Sequence, residues 1–338
     1  MTILSEAKSL NDVAGLLGAL PQPDKQARAA AAARQMSLTK PPFALGRLED
    51  LAAFMAAWQG TAHPEISKMQ ALVFAGNHGV CAQGVNPFPQ DVTVQMVANF
   101  EQGGAAINQL CALAGAELSV IALDLETPTA DFTEAAAMTP EETLDAMQRG
   151  AAAVDAEASV ISLGEMGIGN STISAALACA GFGGAASEWV GRGTGSDEAG
   201  KALKARVIEA GLARHAGLRG LDMLAALGGR EQAALCGAVI EARARSIPVM
   251  LDGYICTAAV VPLFDMAPDL LDHCLVGHLS AEPGHAKLLE QMDKEPILTF
   301  NMALGEGTGA ALALNILRGA LACHNGMATF AEAGVADG

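Results

Sequence analysis

Basic residues are scarce in this chain. Its 338 residues include 20 lysines and arginines against 37 aspartates and glutamates, which gives a formal net charge of −17 at pH 7. A nucleic-acid-binding surface needs a basic stripe that neutralises phosphates, so the composition argues strongly against this class of protein. An anionic small molecule would have to be held by local donors that act against the field of the whole molecule.

Several other features are missing. The seven cysteines are scattered and form no C-x-x-C pair, which argues against a disulfide framework or a zinc site and indicates a reducing compartment. The N-terminus lacks the basic-then-apolar layout of a signal peptide. No apolar run is long enough, without polar interruption, for a transmembrane helix. We therefore expect a cytoplasmic protein with no membrane partner.

The chain is rich in hydrophobic residues (51%) and poor in charged (17%) and aromatic ones (4%), which predicts a core of Ala, Val, Leu and Ile. Short apolar runs typical of strands alternate with alanine-rich runs typical of helices. The predicted strands are Ala71–Ala75, Leu118–Leu123, Val160–Leu163, Trp189–Val190, Pro248–Leu251 and Cys274–Val276. The predicted helices are Val92–Leu113, Pro140–Ala156, Ser171–Ala180, Ala199–Ala216, Glu231–Arg245 and Gly309–Cys323. This alternation predicts an α/β fold with a doubly wound, mostly parallel sheet.

Both ends of the chain have a helical pattern. We predict a central parallel-sheet domain over residues 61–290. A small helical domain would then be built from both termini, residues 1–60 and 291–338.

Two glutamates lie within glycine-rich segments, at Gly164-Glu165-Met166-Gly167-Ile168-Gly169-Asn170 and at Gly305-Glu306-Gly307-Thr308-Gly309. Helix or turn propensity does not explain a glutamate there. Glycine removes side-chain bulk, so a ligand can approach the backbone and the carboxylate. Each glutamate is a candidate general base or hydrogen-bond acceptor. The alternative is a tight strand-to-helix turn with a solvated glutamate at a helix N-terminus.

Other polar clusters also follow predicted strands, at Asn77-His78-Gly79, Gly191-Arg192-Gly193-Thr194-Gly195 and Asp252-Gly253. Ligands bind beyond the carboxyl ends of strands in such sheets, so these clusters predict one site. The loop from Gly191 to Gly195 could hold a phosphate on its amides and a helix N-terminus, or could be a plain turn. Lys204 could add charge there, or could be a solvated surface residue.

The remaining motifs favour a mechanism based on carboxylates. His78 could be a ligand or an acid–base group, although such a histidine more often orients a loop. His273, His278 and His285, with Asp272 and Glu282, lack the i, i+4 spacing of a helical metal site, so we predict no metal. The G-x-S-x-G elbow of a covalent serine enzyme and the G-x-G-x-x-G loop of a dinucleotide cofactor are absent from the sequence. We predict no cofactor.

The chain resembles the nicotinate-nucleotide–dimethylbenzimidazole phosphoribosyltransferase family, which makes the lower-ligand nucleotide of cobalamin. The resemblance spans nearly the whole chain and is specific in the two glutamate motifs. The matching stretches are KPPFALGRLEDLA (40–52), FAGNHGVCAQGV (74–85), GEMGIGNSTISAAL (164–177), VGRGTG (190–195), IPVMLDGYICTAA (247–259), GHLSAEPGH (277–285) and LGEGTGAALAL (304–314).

The resemblance implies transfer of phosphoribose from nicotinate mononucleotide to 5,6-dimethylbenzimidazole. The products would be α-ribazole 5′-phosphate and nicotinate, with inversion at the anomeric carbon, and the enzyme would be a homodimer whose pocket is completed by the partner's small domain. One alternative is a relative that uses another base, such as adenine or a phenol. Another is a non-catalytic nucleotide-binding protein.

The resemblance also implies roles for individual residues. Glu306 would be the general base and Glu165 the second active-site glutamate. The phosphate and ribose would contact Lys204, Gly167, Asn170 and the loop residues Gly191, Gly193, Thr194 and Gly195, and the base would contact His78, Gln95 and Met166. The chain departs from the family pattern at Phe43, Asn77 and Cys256. The sequence leaves open whether burial or the helix N-terminus dominates the pKa of Glu306.

Overall fold

A computed structural model describes residues 1–336 and contains one six-stranded sheet with the order β2-β1-β3-β4-β5-β6. Each strand is parallel to its neighbours. The strands are β1 (Met69–Ala75), β2 (Ala116–Ala122), β3 (Val160–Met166), β4 (Val249–Leu251), β5 (Cys274–His278) and β6 (Pro296–Leu298). The predicted α/β class with a doubly wound parallel sheet is confirmed.

Helices precede, connect and follow the strands. Over residues 1–336 the α-helices are α1 (Leu10–Leu17), α2 (Lys25–Ser37), α3 (Arg47–Gln59), α4 (Asp91–Glu101), α5 (Ala106–Ala114), α6 (Pro140–Ala152), α7 (Asn170–Phe182), α8 (Glu198–Arg214), α9 (Gly220–Leu227), α10 (Arg230–Ala244), α11 (Tyr254–Ala259), α12 (Val261–Met266), α13 (Gly284–Gln291), α14 (Thr308–Gly326) and α15 (Phe330–Ala333). Within these residues, every helix is too short or too polar to span a lipid bilayer.

The sheet is covered on both faces because successive side chains of a strand point in opposite directions. In β1, Leu72 and Phe74 belong to the core beneath α6, α7 and α10. Ala71 and Val73 belong to a core on the opposite face, where α5 and α14 pack. The all-apolar composition of β1 therefore reflects burial on two sides rather than one.

The strand order creates a crevice at one edge of the sheet. The chain leaves β1 toward β2 on one side, and β3 lies on the other side of β1. Loops that leave such neighbouring strands diverge at their carboxyl ends and leave room for a ligand. The segment after β3 and the residues after β4 both emerge at this edge, so the fold itself brings the polar clusters together.

The predicted strand at Trp189–Val190 is wrong. Residues Ala186–Glu188 form a 3₁₀ turn, and Trp189 has helical backbone angles of φ −100° and ψ −19°. The Trp189 side chain is fully buried, and its indole N–H donates to the carbonyl of Gly183 at 2.8 Å. The large apolar residues at this position thus serve core packing instead of a strand.

The predicted single helix Val92–Leu113 is also wrong, because α4 and α5 are separate helices. The chain breaks at Gly103, where φ is +78°. Gly104 follows so close to Asn99 that a Cβ would lie 2.2 Å from the side-chain oxygen of Asn99. The sequence patterns also do not predict the short helices α9, α11, α12 and α13 or the strand β6. β6 has only three residues and begins with proline, so its pattern is too short to detect.

The two ends of the chain meet. Helix α3 packs against both α2 and α14, and an antiparallel bridge joins Leu38 to Thr329. β6 lies after residue 290 and nevertheless belongs to the sheet. The division into residues 61–290 and a terminal helical domain (1–60 with 291–338) stays a prediction, and residues 337 and 338 lie outside the described residues.

Candidate active site

A cleft with about 770 Å³ of empty space lies at the carboxyl ends of β3, β4 and β5. This is the edge where the sequence predicts a ligand site. Its walls are formed by the turn from β3 into α7, the glycine loop before α8, the residues after β4, the residues after β5 and the loop before α14, together with Val85 and Asn86. Among the lining residues are Glu165, Met166, Gly167, Asn170, Ser171, Gly193, Thr194, Lys204, Asp252, Cys256, His278, Ser280, Glu282, Leu304 and Glu306.

The two glycine–glutamate motifs contact each other directly. A Cβ at Gly164 would lie 2.5 Å from the backbone nitrogen of Gly307. Similarly, a Cβ at Gly305 would lie 2.6 Å from Oε1 of Glu165. Side chains at these two positions would push the motifs apart, so glycine is required for the glutamates to share one cleft.

Glu306 has an uncommon backbone conformation. Its φ is +63°, between Gly305 at +81° and Gly307 at +86°. A left-handed conformation costs a residue with a Cβ about 1–2 kcal/mol. Asp252, which directly follows β4, offsets this cost. Its carboxylate accepts the N–H of Gly307 at 3.1 Å and the N–H of Ala310 at 2.9 Å. Asp252 therefore caps α14 and fixes the backbone of Glu306.

The carboxyl group of Glu165 is almost fully buried. Burial raises its pKa to about 8, and repulsion from Asp252 and Glu231 adds to this shift. The side-chain amide of Asn170 donates to Oε2 of Glu165, which lowers the pKa by favouring the ionised form. Burial thus favours the protonated form of Glu165.

Glu306 has a pKa of about 7, raised by burial and then by the nearby Asp252. The pKa of Glu306 is therefore shifted upward, in the direction expected from burial. A carboxylate with a pKa near the working pH is well suited to accept a proton during a reaction. Burial also raises the pKa of Asp252, while the His278 ring, whose Nε2 lies 3.6 Å from Oδ1 of Asp252, acts in the opposite direction.

Lys204 lies at the other end of the cleft. Its side chain is buried, with Nζ 3.2 Å from the hydroxyl of Ser171, and burial lowers its pKa. Ser171 is in the first turn of α7 and lines the cleft beside Lys204. Together these groups form a small region of donors suited to an anion.

The predicted phosphate loop is only partly in the cleft. Gly193 and Thr194 line it. Gly191 packs behind the lining against Glu282, with no room for a Cβ, while Gly195 borders open space. The phosphate-binding role of this loop stays a prediction.

The predicted base-binding residues are spread over three places. Met166 lines the cleft. His78 is fully buried behind it, where its Nε2 lies 2.8 Å from Glu231 and would lie 2.9 Å from a Cβ at Gly167. Gln95, on α4, lines a separate shallow pocket beside Asn77. The base-binding role of these residues stays a prediction.

Comparison with known proteins identifies the family. A phosphoribosyltransferase family model matches residues 20–335. The nicotinate-nucleotide–dimethylbenzimidazole phosphoribosyltransferase of Rhodobacter capsulatus is 62% identical over 98% of this chain and 99% of its own length. Its counterpart in Roseobacter denitrificans is 58% identical over 98% of each chain. The crystal structure of CobT from Thermus thermophilus matches with a TM-score of 0.88 and 42% identity, over 93% of this chain and 100% of that one.

The chain belongs to the nicotinate-nucleotide–dimethylbenzimidazole phosphoribosyltransferase family. The resemblance found in the sequence is thereby confirmed. The family match runs through every segment that forms the cleft, from the turn after β3 to the loop before α14.

The sequence predicts that Asp252 lies at the site, since it follows a predicted strand, but assigns it no role. Ser280 and Glu282 line the cleft although the motifs assign neither of them to a substrate. All three residues lie within stretches that resemble the family, and this resemblance is the signal that points to them. Within residues 1–336, no group of three or more His, Cys, Asp or Glu side chains is arranged to hold a metal ion.

Proposed function

We propose that this chain transfers phosphoribose from nicotinate mononucleotide to 5,6-dimethylbenzimidazole and releases nicotinate and α-ribazole 5′-phosphate. The relatives that match almost the full chain are named for this pair of substrates. The observation that carries the proposal is the pairing of groups in one cleft. Two buried carboxyl groups of raised pKa line the same cleft as a buried lysine, which contacts Ser171 in the first turn of α7.

The reaction needs one proton acceptor. The lone pair of the unprotonated ring nitrogen of dimethylbenzimidazole attacks C1′ of the ribose, and the bond from C1′ to the nicotinate nitrogen breaks. Nicotinate leaves with that electron pair and needs no proton, since its ring nitrogen was cationic in the substrate. The attacking ring becomes positive, and its N–H proton passes to Glu306. Attack from the face opposite the leaving group inverts C1′.

Glu165 has a role on the side of the sugar. Positive charge near C1′ favours the ionised form of a neighbouring carboxyl group, so the bound pyridinium nucleotide lowers the pKa of Glu165 from about 8. The resulting carboxylate stabilises the positive charge that develops at C1′ in the transition state.

The 5′-phosphate fits the donor-rich end of the cleft. Lys204 and the Ser171 hydroxyl supply a charge and a donor, and Gly167 and Asn170 line the same cleft. A buried ammonium binds a phosphate more strongly than an exposed one because water competes less. This arrangement favours a nucleotide over its nucleoside.

We also propose a homodimer in the cytoplasm. Several large apolar side chains are exposed, including Phe43 (75% exposed), Phe300 (62%) and Leu304 (57%), of which Leu304 lines the cleft. Exposed apolar groups of this kind favour an interface. Sedimentation equilibrium should give a mass about twice 34.4 kDa, and a monomer would contradict the dimer. Cell fractionation tests the cytoplasmic location, which the seven free cysteines support.

The deciding experiment is a product assay with nicotinate mononucleotide and dimethylbenzimidazole that resolves the α and β anomers. We expect release of nicotinate with formation of the α-linked nucleotide. Turnover of adenine or a phenol, without turnover of dimethylbenzimidazole, would mean that the enzyme uses that other compound as the acceptor. Absence of turnover with every base, despite nucleotide binding, would refute the enzymatic function.

A further inference from the structure

Glu282 occupies a position in the cleft where an anion is expected. Its Oε1 accepts the backbone N–H of Gly193 at 2.8 Å. Its other oxygen, Oε2, is buried and packs against Gly191, where a Cβ would lie only 1.7 Å away. A carboxylate therefore fills the inner side of the glycine loop.

The same place is suited to a phosphate. Lys204 and the Ser171 hydroxyl lie across from the loop, and a Cβ at Gly193 would lie 2.7 Å from the Ser171 oxygen and 3.1 Å from Nζ of Lys204. Glu282 is near enough to raise the pKa of Lys204, yet its hydrogen bond goes to the Gly193 amide. An acidic side chain here opposes any second anion.

Oε2 of Glu282 has no hydrogen-bond partner among residues 1–336. A buried acceptor without a partner is costly, so the contact of Glu282 with the loop is a poor final arrangement for this carboxylate. The neighbours Ala281 and Pro283 are exposed. Glu282 itself is half-buried, so its side chain lies close to solvent.

We infer that Glu282 holds, in the ligand-free cleft, the place beside Gly193 that the nucleotide's 5′-phosphate takes on binding. The carboxylate satisfies the Gly193 amide until the phosphate arrives, and it then withdraws toward solvent. Glu282 is thus a gate that weakens the binding of the phosphate and sets the affinity for the nucleotide. This inference rests on the proposed function, because that function supplies the phosphorylated substrate.

The test compares nucleotide binding by wild type, Glu282→Gln and Glu290→Gln using isothermal titration calorimetry with nicotinate mononucleotide. Glu290 is an exposed residue of α13, so its variant matches the change in net charge outside the cleft. We expect Glu282→Gln to bind the nucleotide about tenfold more tightly, because a repelling charge beside the phosphate is removed. Glu290→Gln should bind as wild type does. Unchanged or weaker binding by Glu282→Gln would overturn the inference.

A second ligand separates the gate from other roles of Glu282. Nicotinate riboside lacks the phosphate, so its affinity should be the same in wild type and Glu282→Gln. A loss of affinity for the riboside would mean that Glu282 contacts the ribose or supports the loop, which contradicts the gate. Glu282→Ala provides a second variant, for which the same tighter binding of the nucleotide is expected.

Inorganic phosphate distinguishes failure of the gate from failure of the proposed function. Glu282→Gln should bind phosphate more tightly than wild type even if no base is turned over, whereas Lys204→Ala should bind it more weakly. Equal binding of phosphate by wild type and Glu282→Gln would overturn the gate. That result would not count against the proposed function, which the product assay tests separately.

Discussion

Glu306 combines a left-handed backbone with a raised pKa, and Asp252 contributes to both. Asp252 accepts two backbone N–H groups that hold the turn, and its charge helps to keep the pKa of Glu306 near 7. Uncommon backbone conformations persist where the surroundings enforce them, and they occur often at functional sites. The local chemistry of Glu306 is therefore set by a residue 54 positions earlier in the chain.

Replacing Glu306 by Gln tests its role as the base. The amide cannot accept the benzimidazole proton at neutral pH, so we expect kcat to fall by about 10²–10⁴-fold. The KM values should change by less than about threefold, since an interaction made only in the transition state is lost. Glu101→Gln, at an exposed position of α4, is the control and should retain wild-type kinetics. Near-wild-type turnover by Glu306→Gln would exclude Glu306 as the base.

The substitution Glu165→Gln tests the raised pKa of Glu165, because a raised pKa makes the stability of the folded protein depend on pH. The folded pKa of Glu165 is about 8, against an ordinary value of 4.5. Between these values the folded protein keeps a proton that the unfolded chain has lost, so the wild type loses stability as the pH rises toward 8. One pKa unit corresponds to about 1.4 kcal/mol, so the stability of wild type relative to Glu165→Gln should fall by about 3–5 kcal/mol from pH 4 to pH 9.

Urea denaturation of both proteins at each pH measures this difference. The variant keeps an oxygen that can accept from Asn170, so the comparison isolates the ionisation of residue 165. A difference that does not depend on pH would mean that Glu165 titrates normally.

The two glutamates could be singled out from sequence because glycine-flanked glutamates have no ordinary structural explanation. Asp252 could be placed at the site because it follows a predicted strand, but its role could not be predicted. That role is to accept the N–H groups of Gly307 and Ala310, which lie 55 and 58 positions further along the chain. Glu282 lies in a stretch that resembles the family, but its hydrogen bond to Gly193, 89 residues away, could not be predicted from the sequence.

At the scale of elements, long periodic segments were predictable and short ones were not. β1, β3 and α14 have enough residues to show burial on two faces or a helical repeat. β6 has three residues, and the apolar pair Trp189–Val190 imitates a strand although it packs as part of a turn. A pattern of two or three residues cannot distinguish a strand from a buried turn.

Gly164→Ala tests the contact between the end of β3 and the loop before α14. The added methyl group would lie 2.5 Å from the Gly307 nitrogen and 2.6 Å from the carbonyl of Glu306. The backbone must then move, so we expect a loss of about 1–3 kcal/mol in stability. Displacement of Glu306 by a fraction of an ångström should also lower kcat by at least about tenfold.

Gly319→Ala is the matched control for this substitution. Gly319 lies inside α14, and a Cβ there meets no atom within 4 Å. Alanine should therefore stabilise the protein by about 0.5–1 kcal/mol and leave kcat unchanged. Denaturant titrations and initial rates measure both effects, and equal effects of the two substitutions would show that the contact at Gly164 has no special role.

At the scale of the whole molecule, the net charge of −17 opposes an anionic substrate. Lys204 and the loop amides attract the phosphate locally, while the remaining acidic surface repels it over a longer range. The screening length shortens from about 30 Å at about 10 mM salt to about 8 Å at about 150 mM, so added salt removes the long-range repulsion first.

We expect kcat/KM for nicotinate mononucleotide to rise about two- to fivefold over this range. The KM for uncharged dimethylbenzimidazole should stay constant and serves as the internal control. A fall in kcat/KM with salt would mean that the local attraction at Lys204 outweighs the field of the whole protein even at long range.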